Sequence, residues 1–340
     1  VLYKGAMEGM LNSLQDPYTS YIFKDTTAGH DLEDTTTGVF GGIGVHITKP
    51  NVSTPERPAY VEVASPIEGT PGWKAGLQPG DYIIEIDGVK TEEITQEDVL
   101  NMLRGKEGTQ VTIKVLRGKN LKFDLTLTRA IIEVPTIKYT KIGKDIAYIR
   151  LIEFNPNSAK RITEAIEKLQ KEGCTKLIFD LKNNPGGLIT SSIDVASIFL
   201  ESGVVVSTKG RARNTSETYN VRRFAKRLPK DMPVVVLINE GSASASEIVA
   251  GALKDHKRAY LVGTRSYGKG LVQSVVQLSE KELVKLTIAR YYSPSGANIN
   301  KQGILPDLEV TRPSFTPDEE KSVLELLKTS KIANFTRSKP

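Results

Sequence analysis

Between about Gly38 and Arg129, apolar residues recur at every second position in short runs broken by turn residues. Ile43–Ile47, Tyr60–Val63, Tyr82–Ile86, Val111–Val115 and Leu121–Leu127 carry this period-two pattern and predict half-buried strands. One helix is predicted among them, since Thr95-Gln96-Glu97-Asp98 offers a capping-box start. Val99, Met102 and Leu103 then form a helical apolar stripe, and Gly105 terminates it. From Ile146 onward the period lengthens. Strands at Ala147–Leu151, Lys176–Leu181, Pro233–Ile238 and Ala259–Gly263 alternate with helices at Ser158–Glu172, about Leu188–Leu200 and about Ser244–Asp255. This alternation predicts stacked βαβ units in an α/β core. The unbroken apolar run Val234–Ile238 predicts a strand buried on both faces. Thr208 to Lys230 is polar, basic and without period, and reads as an exposed excursion. Pro317 to Lys331 reads as an amphipathic helix followed by a basic tail.

The 340 residues correspond to about two domains at roughly 150 residues each. A hydrophobic content of 39%, a charged content of 25% and 28 glycines exclude collagen-like, low-complexity and disordered chains. The net charge is +6, but the charges interleave, so no nucleic-acid footprint is indicated. Cys174 is the single cysteine, which rules out an intramolecular disulfide and the zinc sites built on two or four cysteines. Its setting at the start of a strand marks it as a small buried apolar residue. The first residues lack a basic start and an apolar signal core, and no 18-residue apolar run occurs. The chain is therefore expected to begin inside a folded region, with any export signal or anchor removed or upstream.

The sharpest motif of the first block runs from Ser65-Pro66 through Thr70-Pro71-Gly72-Trp73-Lys74-Ala75-Gly76-Leu77-Gln78-Pro79-Gly80-Asp81 to the strand Tyr82–Ile86 and the Asp87-Gly88 turn. It resembles the bacterial PDZ domain in order and spacing over more than a dozen positions. The resemblance implies that Gly42-Ile43-Gly44-Val45 receives a peptide's terminal carboxylate on backbone N–H groups. The peptide would then add as a strand beside Val45 and Ile47, with pockets toward the helix 95–104. Arg104, at the end of that helix, is a candidate polar contact that reads the position of the module.

In the second block, Glu240-Gly241-Ser242-Ala243-Ser244-Ala245-Ser246-Glu247-Ile248 follows a buried strand and opens a helix. A serine there faces unpaired N–H groups and the positive end of the helix dipole, where an oxyanion can be stabilised. Serines are also common helix caps, so the run alone decides little. Together with Ser266-Tyr267-Gly268-Lys269-Gly270-Leu271-Val272-Gln273, it resembles the carboxyl-terminal processing, or tail-specific, proteases. Lys269 lies 25 residues after Ser244 and Gln273 four after Lys269, which fits that family's spacing of nucleophile, base and orienting glutamine. A lysine accepts a proton only when neutral, so this role requires a pKa well under the usual value of about 10.4. Burial without a carboxylate partner would supply the shift, and Gln273 offers a neutral acceptor that leaves the amine uncharged. The resemblance also implies that the loop Asn183-Asn184-Pro185-Gly186-Gly187 helps to form the oxyanion hole, with Gly186 or Gly187 paired with Ala245. A histidine base is excluded for His256, which lies 12 residues beyond Ser244 on one helix, roughly 18 Å away. His30 and His46 belong to a polar linker and a PDZ strand.

The likeness covers about residues 5 to 310, including Asp16-Pro17-Tyr18 near the start and Ala289–Gly296 near the end. Ala297 and Asn300 stand where relatives often carry larger residues. The implied fold is α/β, a crotonase- or ClpP-like protease core with an inserted β-rich PDZ domain. Expected bounds are 1–37 for a helical lead-in, 38–129 for the PDZ domain, 130–315 for the core and 316–340 for a C-terminal helix and tail. The expected activity is that of an exported serine endopeptidase, in the periplasm or on the outer face of the cytoplasmic membrane. It would cut protein substrates near their C-termini without a cofactor or metal, with room for an activating partner protein and a homo-oligomer. A catalytically dead PDZ adaptor and a small-ligand carrier on the same core are the alternatives.

Overall fold

The computed structural model describes residues 2–50, 54, 59–212, 215–223 and 226–310. The chain divides into two compact units, one combining residues up to Tyr21 with those from Pro135 onward, the other spanning Ile22–Val134. The helix Thr27–Thr37 therefore belongs with the β-rich unit. The expected helix at 317–331 lies outside the described residues.

In the Ile22–Val134 unit, the alternating runs become the strands Val45–Thr48, Val61–Pro66, Tyr82–Ile86, Gln110–Arg117 and Leu121–Thr128, hydrogen-bonded in that order. All their pairings are antiparallel. Val111, Ile113 and Val115 are buried while Gln110 and Thr112 face solvent, as the period-two pattern requires. These side chains share a core with Val61, Val63, Ile83 and Ile86, closed by Val99 and Leu103 of the helix Gln96–Leu103. That helix starts on the capping box foreseen at Thr95, whose hydroxyl accepts the Asp98 N–H while the Asp98 carboxylate accepts the Thr95 N–H. Ahead of and behind these strands, Val39–Gly42 and Ala130–Glu133 run side by side as an antiparallel pair.

The other unit is built on a six-stranded sheet in the order Ile137–Ile142, Ile146–Leu151, Lys176–Asp180, Val234–Ile238, Tyr260–Gly263 and Leu308–Glu309. Only the first pairing is antiparallel. Val234, Val236 and Ile238 face the helices Ser158–Lys171, Ile189–Phe199 and Ala245–Asp255 within one large core. Val235 and Leu237 join Ile146, Ile178 and Val262 on the opposite face, so the apolar run is buried on both sides. Cys174 is buried and free, just ahead of the second parallel strand. A second sheet centres on the long strand Glu282–Tyr292, which pairs with Leu271–Gln277 and with Val204–Gly210.

The polar stretch from Thr208 to Lys230 departs from its expected role as an exposed excursion. It includes the strand Glu217–Asn220, which pairs antiparallel with Val204–Gly210, while Thr208 and Leu228 are buried. An edge strand needs backbone partners more than apolar side chains, so the residue pattern alone does not reveal it.

Candidate active site

The fully buried strand Val234–Ile238 delivers the chain into a turn that ends at Ser244, one residue before the helix Ala245–Asp255. Ser244 has φ 57° and ψ −115°, a conformation disfavoured for a residue with a Cβ. Its neighbours pin the turn. The buried Ser242 hydroxyl donates to Leu181 O at 2.7 Å and the buried Ser246 hydroxyl to Asn184 O at 3.0 Å. Of the three serines, only Ser244 keeps its hydroxyl off main-chain carbonyls. Its Oγ shares a 2.8 Å hydrogen bond with the hydroxyl of Tyr291, a residue only 2% exposed. Burial holds the Tyr291 phenol protonated, well above its ordinary range.

The loop Leu181–Leu188 crosses directly over this turn. A Cβ on Gly186 would lie 2.7 Å from the Ser244 Cβ and 2.9 Å from the Ala245 nitrogen, so only glycine allows the approach. Asn184 anchors the loop by donating from Nδ2 to Leu151 O at 2.9 Å, and its Oδ1 accepts the Gly186 N–H at 2.9 Å. The Gly186 N–H is thereby occupied. Among the described residues, the N–H groups of Gly187 and Ala245 donate to no protein acceptor.

Glu247, in the first turn of the helix Ala245–Asp255 and 0% exposed, joins the serine turn to the lysine loop. Its Oε2 accepts the N–H groups of Ser244 at 2.9 Å and Lys269 at 2.8 Å, and its Oε1 accepts the Gly268 N–H at 2.7 Å and the Ser266 hydroxyl at 2.6 Å. Sequence reasoning missed this residue, although Ser244-Ala245-Ser246-Glu247 matches the capping-box spacing that would have flagged it. Behind the lysine loop, Lys301 N–H donates to Gly268 O at 2.8 Å, and a Cβ on Gly270 would meet Asn300 N at 2.3 Å. That packing is main-chain against main-chain.

Burial lowers the Lys269 pKa, with help from the like charge of Lys285 and against the pull of Glu247 and Asp16. The site thus does contain a carboxylate, unlike the expectation, but its two oxygens are saturated by four donors and burial prevails. The Lys269 ammonium lies over the Tyr18 ring, 4.9 Å from its centroid. Among the described residues it forms no hydrogen bond to Ser244 Oγ or to Gln273. Gln273 Nε2 instead makes long contacts of 3.4 Å to Leu271 O and to Thr287 Oγ1. Ser244 and Lys269 are therefore gathered on one frame by Glu247, with no hydrogen bond between their side chains among the described residues. His256 has no part in the chemistry, because its Nε2 is bonded to Val204 O at 2.7 Å.

In the β-rich unit, Ile43 is buried and its carbonyl accepts the Gly72 N–H at 2.8 Å. Gly44 has φ 73°, and its carbonyl accepts the Ile67 N–H and the Thr70 hydroxyl. The loop Gly42–Val45 is thus rigidly held at the head of the strand Val45–Thr48, which stands at the end of its sheet's pairing order. Arg104 is engaged within its own unit, in a bidentate pair with Asp34 at 2.7 and 2.8 Å and 4.7 Å from the Phe40 ring centroid.

A strained serine at a helix N-terminus, a half-buried lysine of lowered pKa on the next loop and main-chain N–H groups left unspent beside them define a serine peptidase. The models of Peptidase family S41 and of the PDZ domain match residues 145–310 and 62–117. The chain belongs to peptidase family S41. Within the family it is of the carboxyl-terminal-processing type. It is 42% identical over 320 residues to the carboxy-terminal-processing protease of Bartonella bacilliformis, a match covering 92% of this chain and 70% of the relative. It is 38% identical over 313 residues to the carboxyl-terminal-processing protease of a Synechocystis strain, covering 91% and 71%. Among solved structures, a photosystem II D1 C-terminal processing protease aligns at 31% identity and a TM-score of 0.54, covering 97% of this chain and 86% of that one. The fold is accordingly the mixed α/β fold of these proteases with a PDZ domain, and the substrates are proteins. No helix among the described residues is long and apolar enough to cross a membrane.

Proposed function

We propose that Ser244 is the nucleophile, Lys269 its general base and acid, and Gln273 the neutral acceptor that orients the amine once it engages. Neutral Lys269 takes the Ser244 proton as Oγ attacks the scissile carbonyl, and the oxyanion settles between the N–H groups of Gly187 and Ala245. Gly187 is assigned over Gly186 because the Gly186 N–H is spent on Asn184. The lysine ammonium returns its proton to the departing amine, leaving an acyl-enzyme on Ser244. Water, deprotonated by the same lysine, releases the second product. The observation that carries this reading is the division of labour in the serine run, where Ser242 and Ser246 are bonded to carbonyls and Ser244 is not.

The PDZ unit would hold the substrate's C-terminal carboxylate on the N–H groups of Gly42 to Val45, the tail adding as a strand beside Val45–Thr48. The same reading places the protein outside the cytoplasm, and admits an activating partner and self-association, as the family likeness suggests. The PDZ domain is an insert, approximately residues 38–129, in a protease core of 130–315. The test is casein digestion by single variants. Ser244→Ala and Lys269→Ala should each abolish cutting while Ser242→Ala and Ser246→Ala retain it. Loss of cutting in Ser242→Ala with normal activity in Ser244→Ala would overturn the assignment. A chain that binds C-terminal peptides but cuts nothing would be the adaptor instead.

A further inference from the structure

The N-terminal turn and the catalytic loop lie about 250 residues apart in sequence, yet the turn contributes an aromatic face to the base. Three contacts fix its placement. Asp16 accepts the Thr19 hydroxyl at 2.6 Å and the Tyr18 N–H at 3.3 Å, and Thr19 Oγ1 accepts the Thr287 N–H at 3.3 Å. Thr287 sits directly across the ladder from Gln273, so the turn docks beside the residue assigned to orient the amine. Tyr267 of the lysine loop neighbours the Tyr18 phenol. The Tyr18 ring meets the ammonium at 4.9 Å, within cation–π range.

We propose that Tyr18 is a positioning residue that parks the protonated Lys269 on its ring face in the unengaged enzyme, away from Ser244, and releases it on deprotonation. This rests on Lys269 being the base. A ring face attracts the ammonium and has no comparable hold on the neutral amine, so it selects the inactive protonation state. It acts alongside the other groups facing the amine. Lys285, from the strand Glu282–Tyr292, opposes the charge, as does burial, while Glu247 of the nucleophile helix and Asp16 of the turn favour it. The Tyr18 phenol, pushed up to about 12 chiefly by its hydrogen bond with Tyr267, stays neutral over the working range, so the ring itself does not switch. Between them these groups poise the base. Tyr18 is the one that also fixes where the charged form waits.

The test is the pH dependence of kcat/KM on a fluorogenic peptide, using the intact chain. Because the ring favours the ammonium, removing it should move the acid limb to lower pH. Tyr18→Leu should shift the midpoint down by about half a unit to one unit, raising the rate roughly 3- to 10-fold at pH values below the limb. A series that keeps ring shape guards against misfolding. Starting from Tyr18→Phe, successive fluorination of the ring weakens its negative face and should lower the midpoint stepwise. A purely structural Tyr18 would depress the rate at all pH values and leave the midpoint in place, and that result, or a midpoint indifferent to fluorination, would overturn the proposal. Lys269→Ala separates the two readings. Wild-type activity in that variant removes the base assignment itself, whereas an inactive Lys269→Ala with an unmoved limb in the Tyr18 series removes only the parking role.

Discussion

At the scale of single residues, Glu247 and Lys269 pull stability and function in opposite directions. Glu247 satisfies three main-chain N–H groups and one hydroxyl in a site closed to water. Removing its carboxylate strands all four donors. Glu247→Ala should therefore cost on the order of 3 kcal/mol or more of stability, read as a fall in denaturant midpoint, and abolish activity by loosening the serine turn and the lysine loop together. Glu247→Gln, which turns one acceptor oxygen into an N–H2 group facing donors, should be milder in stability and still strongly impaired. Lys269 is the reverse case. Its folded pKa lies below the unfolded value, so the folded state binds fewer protons between those two values and stability rises with pH through that window. Below the unfolded value the buried amine is a net burden on stability. Lys269→Met should melt higher than the wild type at pH 7 while losing catalysis, and a lower melting temperature would contradict the lowered pKa. Activity itself should climb with pH on a single deprotonation below the usual 10.4 of a lysine.

At the scale of elements, the turn between the strand Val234–Ile238 and the helix Ala245–Asp255 shows what can be read from residue types alone. The strand was legible because five consecutive apolar residues leave no solvent face, and the helix because its stripe and start signal agree. The serine run and lysine loop were legible as a spacing. That spacing selected Ser244, but the spent Gly186 N–H was not legible, because it depends on how Asn184 turns back within its own loop. Nor was what holds Ser242 and Ser246, which depends on carbonyls of Leu181 and Asn184 about 60 residues away. Tyr18 and Tyr291 were invisible as site residues for the same reason. The strand Glu217–Asn220 escaped because an edge strand carries no apolar alternation. Ser242→Ala tests the pinning: it should lower stability by about 1–2 kcal/mol, through the buried Leu181 carbonyl left without that donor, while retaining most of kcat. A collapse of kcat with unchanged stability would place Ser242 in the chemistry instead.

At the scale of the whole molecule, a PDZ domain and a peptidase core share one chain, with recognition proposed for the first and bond cleavage for the second. The division predicts a preference that the core alone would not show. With one apolar-tailed peptide offered as the free acid and as the amide, the intact protein should favour the free acid, because backbone N–H groups at Gly42 to Gly44 attract a carboxylate. Gly44→Ala should erase that preference, since a Cβ there would come within 2.4 Å of Thr70 in a backbone conformation at φ 73°. Equal cutting of both peptides by the intact protein would remove the PDZ domain from substrate selection and leave Ser244 untouched.

If Ser244 is acylated with Lys269 as its base, the intermediate can be trapped. Wild-type and Lys269→Ala protein are mixed with a peptide p-nitrophenyl ester, quenched in acid within the burst, digested, and mapped by tandem mass spectrometry across residues 240–248. The acyl group should appear on Ser244 in the wild type and be absent from Lys269→Ala. An acyl group on Ser242 or Ser246, or an equal yield in the lysine variant, would contradict that assignment.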